Sequence, residues 1–161
     1  MNIFYVDSDP IKAAQALCDK HVVKMILESA QLLSGVNRLH PQPNRIYIEH
    51  LYKLTHKNHP SAVWAREDIF NYKWLVEHNN ALLDEYYFRY GKVHKSTYII
   101  GLCDRYVPDI PVVKFTEPPQ CMPEQFKVPN NSVAAYRNYY KLGKVPTIDC
   151  RWTKREKPDW I

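Results

Sequence analysis

The stretch CDKHVVKMILESAQLL, residues 18–33, decides the fold because it predicts a helix that is buried around most of its circumference. Its apolar side chains cover more of the helical wheel than a surface helix usually buries, so we expect this helix at the centre of the core. A narrower arc of about 100° carries polar side chains. This polar stripe comprises Lys20, His21, Lys24, Glu28 and Gln31. The helix therefore predicts both a core and a stripe that faces water or a ligand.

The polar stripe has two interpretations. In the simpler one it is a solvated helix face, on which Lys24 and Glu28 form an i,i+4 ion pair that contributes only about 0.2–0.5 kcal/mol. In the other it is one wall of a functional site, because imidazole, ammonium and carboxylate groups together suit proton transfer and anion binding. The stripe alone favours the solvated face, so other parts of the chain must decide between the two.

The composition fits one domain over residues 1–161. With 161 residues and 45% hydrophobic content, the chain is long enough for one sizeable core. The net charge of +5 is spread along the chain and suits an anionic partner. The four cysteines are far apart and form no C-x-x-C pair, so we expect reduced thiols and no metal site. We expect a cytoplasmic protein, in the host cytoplasm if it is viral. No apolar run approaches the roughly 20 residues that span a bilayer, which predicts a soluble protein without a membrane partner.

Prolines and glycines divide the rest of the chain into predicted helices. Pro10 and Pro60 suit the first turn of a helix, and Gly91 suits the left-handed residue that closes one. The first predicted helix spans residues 10–18, and the second begins at residue 19 and ends somewhere in the region 35–43. The others span residues 46–54, residues 60–90 as one helix or two, and residues 132–142. Prolines recur between residues 107 and 129, which predicts extended chain. We therefore expect a mainly α fold: a compact single-domain helical bundle with a proline-rich extended segment wrapping the surface.

Two polar segments, one at each end of the predicted helix 60–90, contain histidine and lysine side chains like those of the stripe; we call them the two polar junctions. The first, THKNHP, precedes the predicted helix 60–90, and the second, GKVHKS, follows it. In a compact domain one junction can meet the stripe and form a pocket suited to phosphate binding and proton transfer. The sequence leaves open which of them does so. The candidate ligand-binding residues at the two junctions are His56, Lys57, His59, His94 and Lys95.

Four motifs follow one another along the chain. They are Asp19-x-His21 with Glu28 on one helix, an Asn-His-Pro connector before a long helix, Pro123-x-x-Phe126-Lys127, and the aromatic-basic run YRNYYKLGK. This order resembles the pyrimidine-dimer DNA glycosylase/AP-lyase family of bacteriophages. The resemblance implies a compact, mainly helical single domain that repairs DNA.

The resemblance also implies a role for particular residues. In that family the N-terminal α-amine attacks the sugar C1′ while a glutamate on the central helix assists, and Glu28 matches that glutamate. The amine would belong to Met1 or Asn2; with an ordinary pKa of about 8, its neutral form is a competent nucleophile. His21 would hold the DNA or the sugar. Implied contacts to the duplex are Tyr136, Arg137, Tyr139 and Tyr140, and implied contacts to phosphates are Lys20, Lys24, Lys57 and Lys95.

The same pocket fits two other functions. A histidine pair and lysines can cleave a phosphodiester without a metal, so the substrate can be a small nucleotide such as a cyclic dinucleotide. Binding without cleavage would make the protein a sponge that sequesters a host nucleotide signal, an anti-defence function. We expect DNA or a small nucleotide as the partner, no cofactor, and a monomer or small homo-oligomer. DNA repair is the favoured interpretation.

Overall fold

The computed structural model describes residues 2–161, which form six α-helices and contain no β-strand. The helices are α1 Pro10–Ala16, α2 Asp19–Leu39, α3 Pro60–Glu67, α4 Ile69–Tyr90, α5 Thr97–Arg105 and α6 Ser132–Asn138. Single 3₁₀ turns lie at Ile46–His50 and Glu124–Phe126, and a π-helical turn at Tyr139–Lys144 continues α6. The prediction of a mainly α fold is confirmed. None of the helices in this described part combines the length and apolar composition that a bilayer crossing requires.

Helix α2 lies at the centre of the bundle, as predicted. It packs against α3, α4 and α5, and its apolar side chains fill the core, including those of Val22, Ile26 and Leu33. The buried arc is narrower than the helical wheel predicts, because Val23 is 40% exposed. The polar stripe lies along the side that these three helices leave uncovered near the start of α2, where Lys20 and Lys24 are exposed.

The predicted helix 60–90 is two helices, separated at Asp68. Asp68 has extended backbone, and one of its carboxylate oxygens accepts a hydrogen bond from Phe70 N at 2.9 Å, which caps α4. The other oxygen accepts from the backbone N–H groups of Val113 and Lys114 at 2.8 and 2.9 Å. One carboxylate therefore caps a helix and anchors a distant segment. Gly91, with φ of 64°, closes α4 as predicted.

The segment 107–129 is extended along the surface, as predicted, apart from its one 3₁₀ turn. Side chains of α3 and α4 hold it. Trp64 Nε1 donates to the carbonyl of Thr116 at 2.8 Å, and Asn71 both donates to Thr116 Oγ1 at 3.0 Å and accepts from its N–H at 2.9 Å. Because proline-rich chain lacks many backbone donors, these side-chain bonds replace the ladder that regular structure would supply.

Two predicted helices have different boundaries, and one helix is additional to the prediction. The helix predicted at 46–54 is a single 3₁₀ turn that ends at His50, and the helix predicted at 132–142 changes to π-helical geometry at Tyr139. Helix α5 was not among the predicted helices, because no proline or glycine marks its start. Helix α2 continues through Gly35, which is buried and lies 3.3 Å, measured from an ideal Cβ, from the side chain of Leu54. That close approach favours the smallest residue there.

A buried ionic network joins the end of α4 to the turn between α1 and α2. The Arg89 side chain is 0% exposed, and its Nε donates to Glu85 Oε2 at 3.0 Å. Its Nη1 donates to Asp19 Oδ1 at 3.0 Å and to the carbonyl of Leu17 at 2.9 Å. Its Nη2 donates to the carbonyl of Gln15 at 3.0 Å. Four of the five N–H groups of the guanidinium are thus paired in the interior, where a charge requires such partners.

The C-terminal segment, residues 145–161, joins the same network. Arg155 Nε lies 3.1 Å from Glu85 Oε2, and Thr153 donates from its hydroxyl to Asp19 Oδ2 at 2.7 Å. Burial would raise the pKa of Asp19, but the hydrogen bonds from Thr153 and Arg89 outweigh it and hold the pKa below its ordinary value. The Asp19 carboxylate therefore stabilises the fold above its unfolded-state pKa, and that contribution is lost as the pH falls through the lowered folded-state pKa.

We expect Arg89→Ala to lower the free energy of unfolding by about 3–5 kcal/mol, because it leaves two carboxylates in the interior without this cation. Urea denaturation followed by circular dichroism measures the change. The control is Arg45→Ala, which removes an exposed arginine and should stay within about 0.5 kcal/mol of the parent. Equal stability of the two variants would contradict the role given to the network.

Candidate active site

Glu28, on α2, forms the centre of the candidate site. Its Oε2 accepts a hydrogen bond from the backbone N–H of Asn2 at 3.2 Å, and its Oε1 lies 3.3 Å from Lys24 Nζ. The ion pair expected for a solvated face is therefore present, but the carboxylate also faces the N-terminal segment. The Glu28 side chain is 17% exposed, so a ligand can reach it. Met1, the other candidate for the amine, lies outside the described residues.

The N-terminal segment has an irregular conformation that brings Asn2 to Glu28. Asn2 Nδ2 donates to the carbonyl of Cys121 at 2.9 Å. Phe4 has φ of 55°, which is uncommon for a residue other than glycine, and its buried ring lies 4.6 Å from that of His21 between centroids. Such a conformation persists only where the surroundings fix it. Packing of the Phe4 ring therefore holds the backbone of the segment in place.

The His21 ring faces protein groups. Its Nδ1 lies 2.7 Å from the hydroxyl of Tyr140, and the residue is only 7% exposed. Burial, together with the positive charges of Lys144 and Lys24, lowers the pKa of His21 to about 4. The imidazole is therefore uncharged at neutral pH, and in this structure it supports the N-terminal segment from the core side.

The first polar junction lies beside Glu28. His59 Nδ1 accepts from Ser61 N at 3.2 Å and so caps α3. Burial lowers the pKa of His59, nearby positive charge lowers it further, and the negative charge of Glu28 acts in the opposite direction. Glu28 therefore acts on His59 through space. Lys57 and Gln31 line one shallow crevice between the junction and α2.

The second polar junction lies elsewhere. The His94 ring is edge-on to Tyr86, 5.2 Å away between centroids, and its Nδ1 accepts from Ser96 N at 3.1 Å. His94 also lines a groove along α4 with Asn80, and Lys95 beside it is exposed. The first junction therefore packs against α2 at Gln31, whereas His94 contacts a different face along α4.

Tyr136 and Tyr140, expected from the sequence to contact a duplex, lie in the core. Both are 0% exposed. The Tyr136 hydroxyl donates to the carbonyl of Pro119 at 2.7 Å, and the Tyr140 hydroxyl accepts from Cys18 N at 2.9 Å. The expected duplex contact is corrected for these two residues, because their rings pack beneath the N-terminal segment and their hydroxyls are already bonded.

Tyr139 and Arg137 lie nearer the surface. Lys144 Nζ is 4.9 Å from the centroid of the Tyr139 ring, a cation–π contact. Arg137 donates to the carbonyl of Val6 at 2.7 Å and pairs with Asp7 at 3.3 Å, so it fixes the chain that follows the N-terminal segment. No sequence pattern predicted a role for Phe4, Cys121 or Lys144 in the site. Only Lys144 had a signal, since it ends the aromatic-basic run.

We expect His21 to remain uncharged until the pH approaches 4. Its folded-state pKa lies below the ordinary value of 6.5, so the unfolded chain binds the proton first. The contribution of His21 to stability is therefore complete above pH 6.5 and falls as the pH drops toward 4. Nuclear magnetic resonance titration of the ring, assigned from the signals that His21→Gln removes, measures the midpoint. A midpoint near 6.5 would contradict this burial.

The chain matches a known family over most of the elements described above. The family model for pyrimidine dimer DNA glycosylase matches residues 1–98, which contain Asn2, Glu28 and the first junction. No curated protein and no solved structure matched the chain. The family match covers more than half of the 161 residues, and the all-helical fold agrees with the resemblance seen in the sequence. The chain belongs to the pyrimidine dimer DNA glycosylase family.

Proposed function

We propose that the protein is a DNA glycosylase with AP-lyase activity that acts on pyrimidine dimers. The observation that carries this proposal is the 3.2 Å hydrogen bond between Asn2 N and Glu28 Oε2 in a chain of this family. A polypeptide that begins at Asn2 presents an α-amine at that position in place of an amide nitrogen. Nucleophile and carboxylate then lie within hydrogen-bond reach of each other, as nucleophilic catalysis requires.

In the proposed reaction the neutral amine attacks C1′ of the damaged nucleotide, and the bond from C1′ to the base breaks. The resulting adduct opens to an imine, from which elimination cleaves the strand. The Glu28 carboxylate accepts the proton that the amine loses and stabilises positive charge that develops on the sugar. Lys24, 3.3 Å from the other carboxylate oxygen, holds the side chain of Glu28 in position.

The surroundings of Glu28 suit a polyanion. Lys20 and Lys24 lie one turn apart on the exposed part of α2, and Lys57 is exposed at the first junction. Lys144 lies close enough to lower the pKa of His21. Lys24 pairs with Glu28, and further ammonium groups lie on the neighbouring segments, where each can neutralise a phosphate of DNA.

The position of Glu28 also bears on how DNA must bind. The carboxylate is recessed, with 17% of the side chain exposed, between α2 and the N-terminal segment. The sugar of a nucleotide whose base is stacked in a regular duplex cannot reach such a group. We therefore infer that the DNA is distorted or that a nucleotide is extruded from the duplex. Extrusion costs a few kcal/mol and is cheapest where pairing is already damaged. This cost favours a lesion over intact DNA.

The central test is covalent trapping on DNA. Borohydride should reduce the imine and link the protein to an abasic duplex, and mass spectrometry of the linked peptide should identify the amine. Glu28→Gln should lower the rate of dimer-strand cleavage by about 10²–10⁴-fold, because it removes the proton acceptor. Absence of any linked product from a protein whose first residue has been determined would overturn the proposal.

The matched control is Glu77→Gln, because Glu77 is an exposed glutamate on the outer side of α4. It should cleave at the parent rate. A second control adds two residues before the native N-terminus, which converts the attacking amine to an amide or displaces it. That protein should bind DNA but form no linked product, whereas trapping through a lysine side chain would survive the extension.

The salt dependence of DNA binding should separate the two junctions. Lys57→Ala should reduce the slope of log Kd against log salt by about 1, because one phosphate contact and its released counterion are lost. Lys95→Ala is the matched control, since Lys95 is an exposed lysine at the other junction, and its slope should equal that of the parent. Fluorescence anisotropy at several salt concentrations measures both. The reverse ranking would contradict the location proposed for the duplex.

A further inference from the structure

Two cysteine sulfurs meet where the C-terminal segment crosses the start of α2. Cys150 Sγ lies 3.3 Å from Cys18 Sγ, although the residues are 132 positions apart in the chain. Both thiols are free. A disulfide bond is about 2.05 Å long, so the two sulfurs need to approach by only about 1.3 Å. The wide spacing of the cysteines in the sequence predicted separate, reduced thiols and gave no sign of this contact.

Contacts on both sides of the pair fix the two backbones relative to each other. Asp19 N donates to the carbonyl of Arg151 at 2.8 Å, one residue beyond each cysteine. Trp152 Nε1 donates to the carbonyl of Ala16 at 3.0 Å. Thr153 N donates to Asp19 Oδ1 at 3.0 Å. The sulfurs are therefore neighbours because two ordered segments are docked, and bond formation requires little backbone movement.

We propose that Cys18 and Cys150 form a reversible disulfide that fastens the C-terminal segment to the start of α2. The oxidant is a low-molecular-weight disulfide such as oxidised glutathione. One cysteine thiolate attacks a glutathione sulfur and releases the first glutathione, and the other cysteine then attacks the mixed disulfide and releases the second. Two electrons pass from the protein to glutathione, and the two thiol protons end on the two released glutathione molecules.

The accessibility of the two thiols sets the order of these steps. Cys150 is half-buried, whereas Cys18 is 0% exposed, so an external disulfide reaches Cys150 first and the buried thiol resolves the intermediate. Burial raises the pKa of Cys150 to about 12, and contact with Cys18 contributes in the same direction. Little thiolate is present at neutral pH, so the reaction is slow there and faster at alkaline pH.

The proposed disulfide lies directly behind the candidate active site. Cys18 is the N-cap of α2, and its sulfur lies 3.7 Å from Nδ1 of His21, whose ring supports Phe4. The bond would therefore tie the C-terminal segment to the residues that hold the N-terminal one. This inference does not depend on the DNA substrate, and its test uses no DNA.

The experiment maps the link in the full chain. Trypsin separates the four cysteines into peptides 13–20, 96–105, 115–127 and 145–151. The protein is equilibrated in glutathione buffers of increasing oxidised fraction, free thiols are blocked with N-ethylmaleimide, and the digest is analysed by mass spectrometry. We expect one dominant link, between 13–20 and 145–151, that dithiothreitol removes. A dominant link through 96–105 or 115–127, or no link in the most oxidising buffer, would overturn the proposal.

Matched variants test the fastening role. Cys150→Ser should abolish the link between peptides 13–20 and 145–151. Cys121→Ser changes another half-buried cysteine and should retain that link. Cys150 is the better site for substitution, because Cys18 is buried and its sulfur contacts His21. The oxidised parent should unfold at least about 5 °C above the reduced parent, and Cys150→Ser should unfold at one temperature in both buffers. Equal melting temperatures of the oxidised and reduced parent would overturn the fastening role.

Discussion

The buried guanidinium of Arg89 is the interaction on which the arrangement of the helices depends. Removing such a charge from water costs several kcal/mol, and only close pairing offsets that cost. The partners of Arg89 come from α4 and from the turn between α1 and α2, so the pairing is satisfied in one relative position of these elements. Because α2 is a continuous helix, fixing Asp19 also fixes Glu28, about 13 Å further along the axis. The direction in which the polar stripe faces therefore depends on the ionic network at the start of α2.

The candidate site depends on parts of the chain that lie outside the family match. Residues 1–98 supply Asn2, Glu28 and the first junction, but the side chain of Asn2 is held by Cys121. The Phe4 ring rests on Tyr139 and Tyr140 as well as on His21. Short, irregular chain at an N-terminus has little intrinsic order, so its position is set by the surface on which it packs. The later part of the chain therefore provides the support, and the earlier part provides the groups proposed to react.

The sequence predicted correctly those features that depend on interactions between neighbouring residues. The burial of α2, the proline starts of α1 and α3 and the left-handed cap at Gly91 each follow from a few neighbouring residues. The break at Asp68 does not, because its benefit comes from the N–H groups of Val113 and Lys114, some 45 residues later. Tyr136 and Tyr140 are similar: an aromatic-basic run suits a nucleic-acid surface, and their burial is decided by the N-terminal segment. The contact of Cys18 with Cys150 likewise has no local signal. The sequence predicted Glu28 and both junctions as candidate site residues, whereas the position of each junction relative to α2 is decided by the packing of the helices.

The electrostatics of the site reconcile two demands of the proposed reaction. A polyanionic substrate requires positive charge near the reacting carboxylate, and an amine nucleophile must be uncharged to attack. Positive neighbours serve both purposes, because they attract phosphate and disfavour protonation of a nearby amine. Lys24 and Lys144 already act in this way on His21, whose ring they help to keep neutral. Glu28 acts in the opposite direction and favours the protonated amine, but it is also the group that accepts the proton when attack begins. The pairing of Glu28 with Lys24, near other lysines, therefore suits both proton removal and phosphate binding in the proposed reaction.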